Sequence, residues 1–223
     1  MSYATSLYFT GADVGLSLAG LALLLVTAWG GEKAARLVTW LAIAALFGAL
    51  GFAAGLLNGP PGLFGDAFGG LYRADDFGSF AKVLIYLATI AALVVTPRFF
   101  GDARGAYRGE YPVLMIFNAV GMSMMVSAID LMTLYIGLEL SSLSSYVLAS
   151  FLRKDTRSSE AGLKYFILGA LASGIILYGV SLVYGFSGTT SYEGIRTAFT
   201  GNFSTGALSG VVFILAGMAF KIS

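Results

Sequence analysis

The chain has no cysteine and no histidine among its 223 residues. That removes the usual ligands of zinc, haem and iron–sulfur clusters, together with the thiol nucleophile. Charge is scarce too. Asp, Glu, Lys and Arg make up 11% of the chain and leave a net charge of +1, against roughly 25% charged residues in a soluble domain. No block of Lys and Arg is present, so no nucleic-acid partner is expected. Residues 1–10 lack the basic start of a cleavable signal, and the first apolar run therefore reads as a retained span.

Hydrophobic residues are abundant, at 57% of the chain with a mean hydropathy of +0.83. Seven apolar runs stand out, at about 14–29, 36–57, 79–96, 112–128, 130–151, 160–185 and 207–223. Most fit the roughly 17–25 residues of a spanning helix. In lipid a helix satisfies its own backbone, and these lengths do not suit the short alternating strands of an outer-membrane barrel. The expected fold is all-α, a polytopic membrane helix bundle of about seven spans. Residues 1–110 hold the first three spans and their loops, and residues 111–223 hold spans four to seven. The last run reaches Lys221, Ile222 and Ser223 with no polar flank after it, so the seventh span reads as interrupted and the chain as a fragment of a longer protein.

Loop charges give an orientation. The connections after spans one, three and five carry Lys33, Arg36, Arg98, Arg104, Arg108, Arg153, Lys154 and Arg157. The other side carries only Arg73 and Arg196. Eight cations against two place the first set in the cytoplasm and the N-terminus outside. The long connections on the outer side, 58–78 with its Gly59-Pro60-Pro61-Gly62 and the Gly-, Ser- and Thr-rich 186–206, read as turn-forming loops.

Against this apolar background the charges inside spans carry the functional information. Glu139 lies roughly 14 Å along its helix from Asp130, near the middle of a hydrocarbon core roughly 30 Å thick. A carboxylate there faces water or an opposite charge, and such groups mark ion or proton paths by default. Lys164 and Lys221 also lie in apolar runs. Lys164 has an ordinary explanation, since Glu160 stands four residues earlier and allows a helix-surface pair. Lys221 has no acidic neighbour in sequence and is the expected partner of Glu139, with Lys164 as the alternative. Burial raises a carboxyl pKa and lowers an amine pKa, while pairing opposes both, so a buried Glu–Lys set suits proton handling. Lys82 reads as snorkelling to the interface beside Asp75 and Asp76, Asp130 as a helix N-cap, the serines around Glu139 as helix-packing residues, and the methionines between 115 and 132 as adaptable packing.

Several segments resemble a known family. They are 110–115 (EYPVLM), 130–140 (DLMTLYIGLEL), 157–170 (RSSEAGLKYFILGA), 177–190 (LYGVSLVYGFSGTT) and 216–221 (AGMAFK). Together they resemble subunit N of the proton-pumping NADH-quinone oxidoreductase, respiratory complex I, specifically over about 110–223 and weakly before that. The resemblance implies an antiporter-like bundle of about fourteen helices with two inverted repeats, of which this chain would hold the first part. It implies that Glu139 is the fifth-helix glutamate of a proton channel, Lys164 the sixth-helix lysine, and Lys221 the lysine at the break of the seventh helix. It also implies other membrane-arm subunits as partners and a bacterial inner membrane as the location. No cofactor is expected in this chain: NADH, flavin, iron–sulfur clusters and quinone belong to partner subunits. Two alternatives remain open, a subunit of a cation/proton antiporter and a seven-helix photoreceptor with a lysine in its last span. A purely structural subunit is disfavoured by three ionisable residues at depth.

The orientation is directly testable, because a chain without native cysteine gives no background to thiol labelling. Single cysteines introduced in the 98–108 connection should resist a membrane-impermeant maleimide from outside the cell and react only when the inner face is exposed. Labelling from outside contradicts the topology.

Overall fold

The computed structural model describes residues 3–57, 65–100, 107–200 and 204–222. The Gly59–Gly62 turn, Arg104 and Ser223 lie outside the described residues, as does the side chain of Lys33. Each of the seven apolar runs forms one long helix: α2 (Gly11–Gly30), α3 (Ala35–Leu57), α4 (Asp76–Phe99), α5 (Glu110–Ser127), α6 (Leu131–Ala149), α7 (Thr156–Ser187) and α9 (Thr205–Ile222). Six of these are long and apolar enough to cross a membrane; the exception is α5, the shortest together with α9, which opens on Glu110 and carries Asn118. At 32 residues, α7 is about 48 Å long, more than a hydrocarbon core requires.

Two short helices and a hairpin are additions that apolar periodicity does not reveal. A seven-residue helix, α1 (Tyr3–Phe9), precedes the first span, which itself starts at Gly11 rather than 14. The outer connections are not plain loops. One contains the antiparallel pair β1 (Gly65–Ala67) and β2 (Tyr72–Ala74), with Phe68, Gly69 and Gly70 at positive φ in its turn. The other contains α8 (Tyr192–Ala198).

Those connections meet at one end of the bundle. Tyr72 bridges to Ala128, Ile129 N–H donates to the Leu71 carbonyl, Asp130 bridges to Ser191, and Tyr192 N–H donates to the Ile129 carbonyl. The hairpin, the tight α5–α6 turn and the segment entering α8 thus share a continuous backbone cap. At the opposite end, Phe100, Tyr107, Tyr111 and Phe151 pack ring against ring, bringing the α4–α5 and α6–α7 connections together. The alternation of ends on which the loop-charge count depends is therefore present in the fold.

Helix starts follow their caps. Asp75 accepts from Gly78 N–H to open α4, Asp130 accepts from Met132 and Thr133 N–H to open α6, and Asp155 accepts from Arg157 N–H to open α7. Each satisfies donors that a helix start leaves orphaned. One apolar core lies among α2–α5, with Leu16, Val38, Leu46, Tyr86, Leu93 and Ile116 buried in it. A second lies between α7 and α9 around Ile176, Val180, Val183 and Ile214.

The link between these halves is the α5–α6 pair, and glycine makes it possible. A Cβ on Gly121 would stand 2.5 Å from Ser141 N and 2.6 Å from the Gly137 carbonyl, and one on Gly137 would stand 2.9 Å from the Gly121 carbonyl. Small residues at such crossings let membrane helices approach backbone to backbone. Gly121→Val should therefore lower assembly and the thermal midpoint of the solubilised protein. Gly48→Ala, with nothing within 4 Å of the new carbon, should leave both unchanged or slightly raised. Equal behaviour of the two variants contradicts the close-crossing account.

Candidate functional site

Glu139 sits in the middle of α6 on the side facing α7 and α9. Lys221, in the last turn of α9, places Nζ 2.8 Å from Glu139 Oε1 and 3.0 Å from Ser142 Oγ. From α7, Ser173 donates its hydroxyl to Glu139 Oε1 at 2.5 Å and also contacts the Gly169 carbonyl at 3.0 Å. Three helices thus converge on one carboxylate oxygen. The side chains of Lys221 and Glu139 are 12% and 22% exposed. A cleft of about 420 Å³ opens there, lined by Ser142, Tyr146, Tyr165, Gly169, Phe220 and Lys221.

The packing that brings these groups together again uses small residues. Gly179 and Gly210 face each other between α7 and α9, where an added Cβ on Gly179 would stand 2.7 Å from the Gly210 carbonyl. Gly217, one turn before Lys221, lies where an added Cβ would meet Ile176 at 2.5 Å. The α7–α9 contact carries Lys221 to the level of Glu139. Ser142, grouped with its neighbours as a packing residue on sequence grounds, accepts from Lys221 and belongs to the site.

The structure separates Lys164 from this pair. Its Nζ bonds Glu160 Oε1 at 2.5 Å on the surface of α7, with both side chains about two-thirds exposed (68% and 64%). The i,i+4 alternative is the geometry observed. Asp130 is the N-cap of α6, and its second carboxylate oxygen accepts from Thr190, which ties the cap end together.

Lys82 requires a correction. It does not snorkel beside Asp75 and Asp76; its side chain is 7% exposed and its Nζ lies 2.8 Å from Asp13 Oδ2 on α2. Asp75 is occupied in capping α4. Asp13 also accepts from Tyr72 at 2.8 Å, from Ser123, and from Tyr86 at 3.3 Å. The local sequence does not show this partner, which lies 69 residues away on another helix, directly before the apolar run expected from residue 14. The available signal is a carboxylate at the head of a long apolar run, the third residue of α2. Burial and then the Asp13 charge push the Tyr72 phenol well above its usual range, so it stays a proton donor.

Among the described residues, one of five salt bridges is buried, Lys82–Asp13, and a second, Lys221–Glu139, is part-buried; both join helices across the bundle. Membrane-length helices in a helical bundle, tied together by ion pairs within their spans, define a polytopic membrane protein. Residues 128–223 match the family described as NADH:quinone oxidoreductase/Mrp antiporter, TM. The chain is 57% identical over its full length to NADH-quinone oxidoreductase subunit N of Rhizorhabdus wittichii, covering 46% of that protein, and 60% identical over 95% of its length to the subunit N of Erythrobacter litoralis, covering 43% of it. A chain of respiratory complex I from Thermus thermophilus with bound aureothin superposes with a TM-score of 0.73 at 26% identity, over 94% of this chain and 43% of that one. The chain belongs to the family of NADH-quinone oxidoreductase subunit N, and it spans less than half the length of the relatives it matches. Membership in that family sets aside the photoreceptor alternative.

If Lys221 is the direct counter-ion of Glu139, removing one partner alone leaves a buried charge, a change that costs about 3–5 kcal/mol in a dry interior and less beside a wet cleft. Lys221→Met should lower the thermal midpoint and assembly, and adding Glu139→Gln should restore most of the loss. A double variant as unstable as the sum of the singles contradicts direct pairing.

Proposed function

We propose that this chain forms part of the proton-translocating membrane-arm subunit of a bacterial NADH-quinone oxidoreductase, lodged in the plasma membrane with its N-terminus on the periplasmic side and packed against other membrane-arm subunits. NADH, flavin, iron–sulfur and quinone chemistry resides in those partners. The observation that carries the reading is the Glu139–Lys221 pair, 2.8 Å apart on different helices, with Lys221 on the wall of a cleft.

The geometry supports a simple protonic step. With Lys221 charged, Glu139 stays ionised between the ammonium and the Ser173 hydroxyl. When Lys221 gives its proton to the cleft or swings away, the carboxylate loses its counter-charge. In a low-dielectric interior an unpaired carboxylate is expensive, and it takes up a proton instead. Restoring the ammonium expels that proton. Ser142, bonded to Lys221, and Tyr146, on the cleft wall, offer hydroxyls along the way. Lys164 enters the proposal only as the residue at which the cleft-side helix α7 carries a further charge; its surface pair gives no direct contact with Glu139.

The family description also names Mrp antiporters, so exchange of a cation for protons without redox input is the second reading. Inverted membrane vesicles separate the two. In the assembled complex, Glu139→Gln should retain NADH oxidation capacity in the partner subunits but lose most proton uptake, and Glu139→Asp should retain part of it. Lys221→Arg keeps the charge but holds its proton, so it should assemble and pump poorly. Normal NADH-driven uptake in an assembled Glu139→Gln variant contradicts the proposal. Sodium-driven proton exchange in the absence of NADH favours the antiporter.

A further inference from the structure

The Asp13–Lys82 pair is more deeply buried than Glu139–Lys221, yet the step above does not use it. Its surroundings are chemically unusual for a packing lock. Asp13 Oδ2 receives Lys82 Nζ and the Tyr72 hydroxyl, while Oδ1 receives Ser123 and the Tyr86 hydroxyl at 3.3 Å. Lys82 Nζ also contacts the Tyr72 hydroxyl and stands 4.6 Å from the centre of that ring. Every member of the cluster donates or accepts a hydrogen bond, and Asp13 and Lys82 are in addition a carboxylate and an amine able to exchange a proton. Apolar side chains of similar size would hold the helices at least as well, because a buried ion pair generally costs more in desolvation than it returns.

Beside the pair lies a cavity of about 10 Å³, lined by Tyr72, Ser79, Lys82 and Ser127 together with apolar residues of α1, α2 and α3. That is about the room one water needs when several polar groups can hold it. The cavity sits under the hairpin, at the capped end of the bundle. On the other side, Ser123 belongs to α5, and α5 crosses α6 at Gly121 and Gly137, two residues from Glu139.

We propose that Asp13, with Lys82 as its counter-ion, is a second proton-holding site of this chain, exchanging with the aqueous phase at the hairpin end through a water in that cavity. The proposal rests on the proton-translocating reading given above. In the resting pair, Lys82 is an ammonium and Asp13 a carboxylate. One proton entering by way of the cavity water is taken up at Asp13 Oδ2, whose bond from Tyr72 or Lys82 breaks as the O–H bond forms. The site then carries one net positive charge on Lys82, held against the Tyr72 ring face and the cavity water, and return of that proton to the water restores the pair.

A purely structural lock and a proton-holding site differ in the double substitution Asp13→Asn/Lys82→Met within the complete complex, reconstituted in proteoliposomes. This variant removes both charges without stranding either. The expected result is wild-type assembly and thermal stability, with NADH-driven proton translocation reduced severalfold and its pH profile altered. Wild-type translocation with an unchanged profile overturns the proposal and leaves the pair as a lock. Should the double variant fail to assemble, Asp13→Glu keeps the ion pair and shifts the carboxylate by one methylene; a displaced pH profile then supports the proposal, and an unchanged one overturns it. Glu139→Gln measured in parallel keeps the two ideas apart. If it too translocates normally, the proton-translocating reading fails as a whole; if it does not, only the second site is at stake.

Discussion

A charge in the apolar interior of a membrane helix bundle must meet an opposite charge or water, and the arrangement of this chain follows from that constraint. Among the described residues, two carboxylates are joined to lysines across helices remote in sequence, 69 residues apart for Asp13 with Lys82 and 82 for Glu139 with Lys221. Each pair fixes which helices must be neighbours. The first binds α2, α4, α5 and the hairpin around one carboxylate; the second binds α6, α7 and α9 around another. Pairing of this kind is a poor source of net stability, which is a reason to look for its value in the protons these groups can exchange.

For charged tips to meet, the helices behind them must approach closely. Glycines at the α5–α6 and α7–α9 crossings allow backbone-to-backbone contact where any Cβ would clash. The first crossing couples the N-terminal helices to α6. The second sets the height of Lys221 against Glu139. The backbone cap formed by the hairpin, the α5–α6 turn and the start of α8 holds the connecting segments in register with those crossings. The helices gathered around the two pairs meet at the α5–α6 crossing, two residues from Glu139.

The span pattern was legible because apolar length alone decides it: all seven runs became helices, with ends displaced by a few residues where Asp75, Asp130 and Asp155 cap them. Glu139 was legible because a lone carboxylate in an apolar run has few innocent explanations. Its partner Lys221 followed from the absence of any acidic neighbour in sequence. Lys164 makes the helix-surface pair with Glu160 that the sequence also offered. Lys82 shows the converse, because the nearby Asp75 and Asp76 suggested a local interfacial role while the true partner approached from α2. The hairpin, α1 and α8 were hidden because short polar elements at a membrane surface carry no sustained periodicity. Ser173 was invisible for a different reason: a serine on an apolar helix has no signature until the carboxylate it serves is placed beside it.

Infrared difference spectroscopy of the assembled complex during NADH oxidation tests the central claim most directly, because it observes the carboxyl group rather than its consequences. If Glu139 takes up and releases a proton against Lys221, turnover must produce a carboxylic-acid C=O signal that is lost in Glu139→Gln and altered in Lys221→Arg. A turnover spectrum in which every carboxylic-acid signal survives Glu139→Gln would contradict the account, leaving Glu139 permanently ionised and its pair with Lys221 a fixed strut.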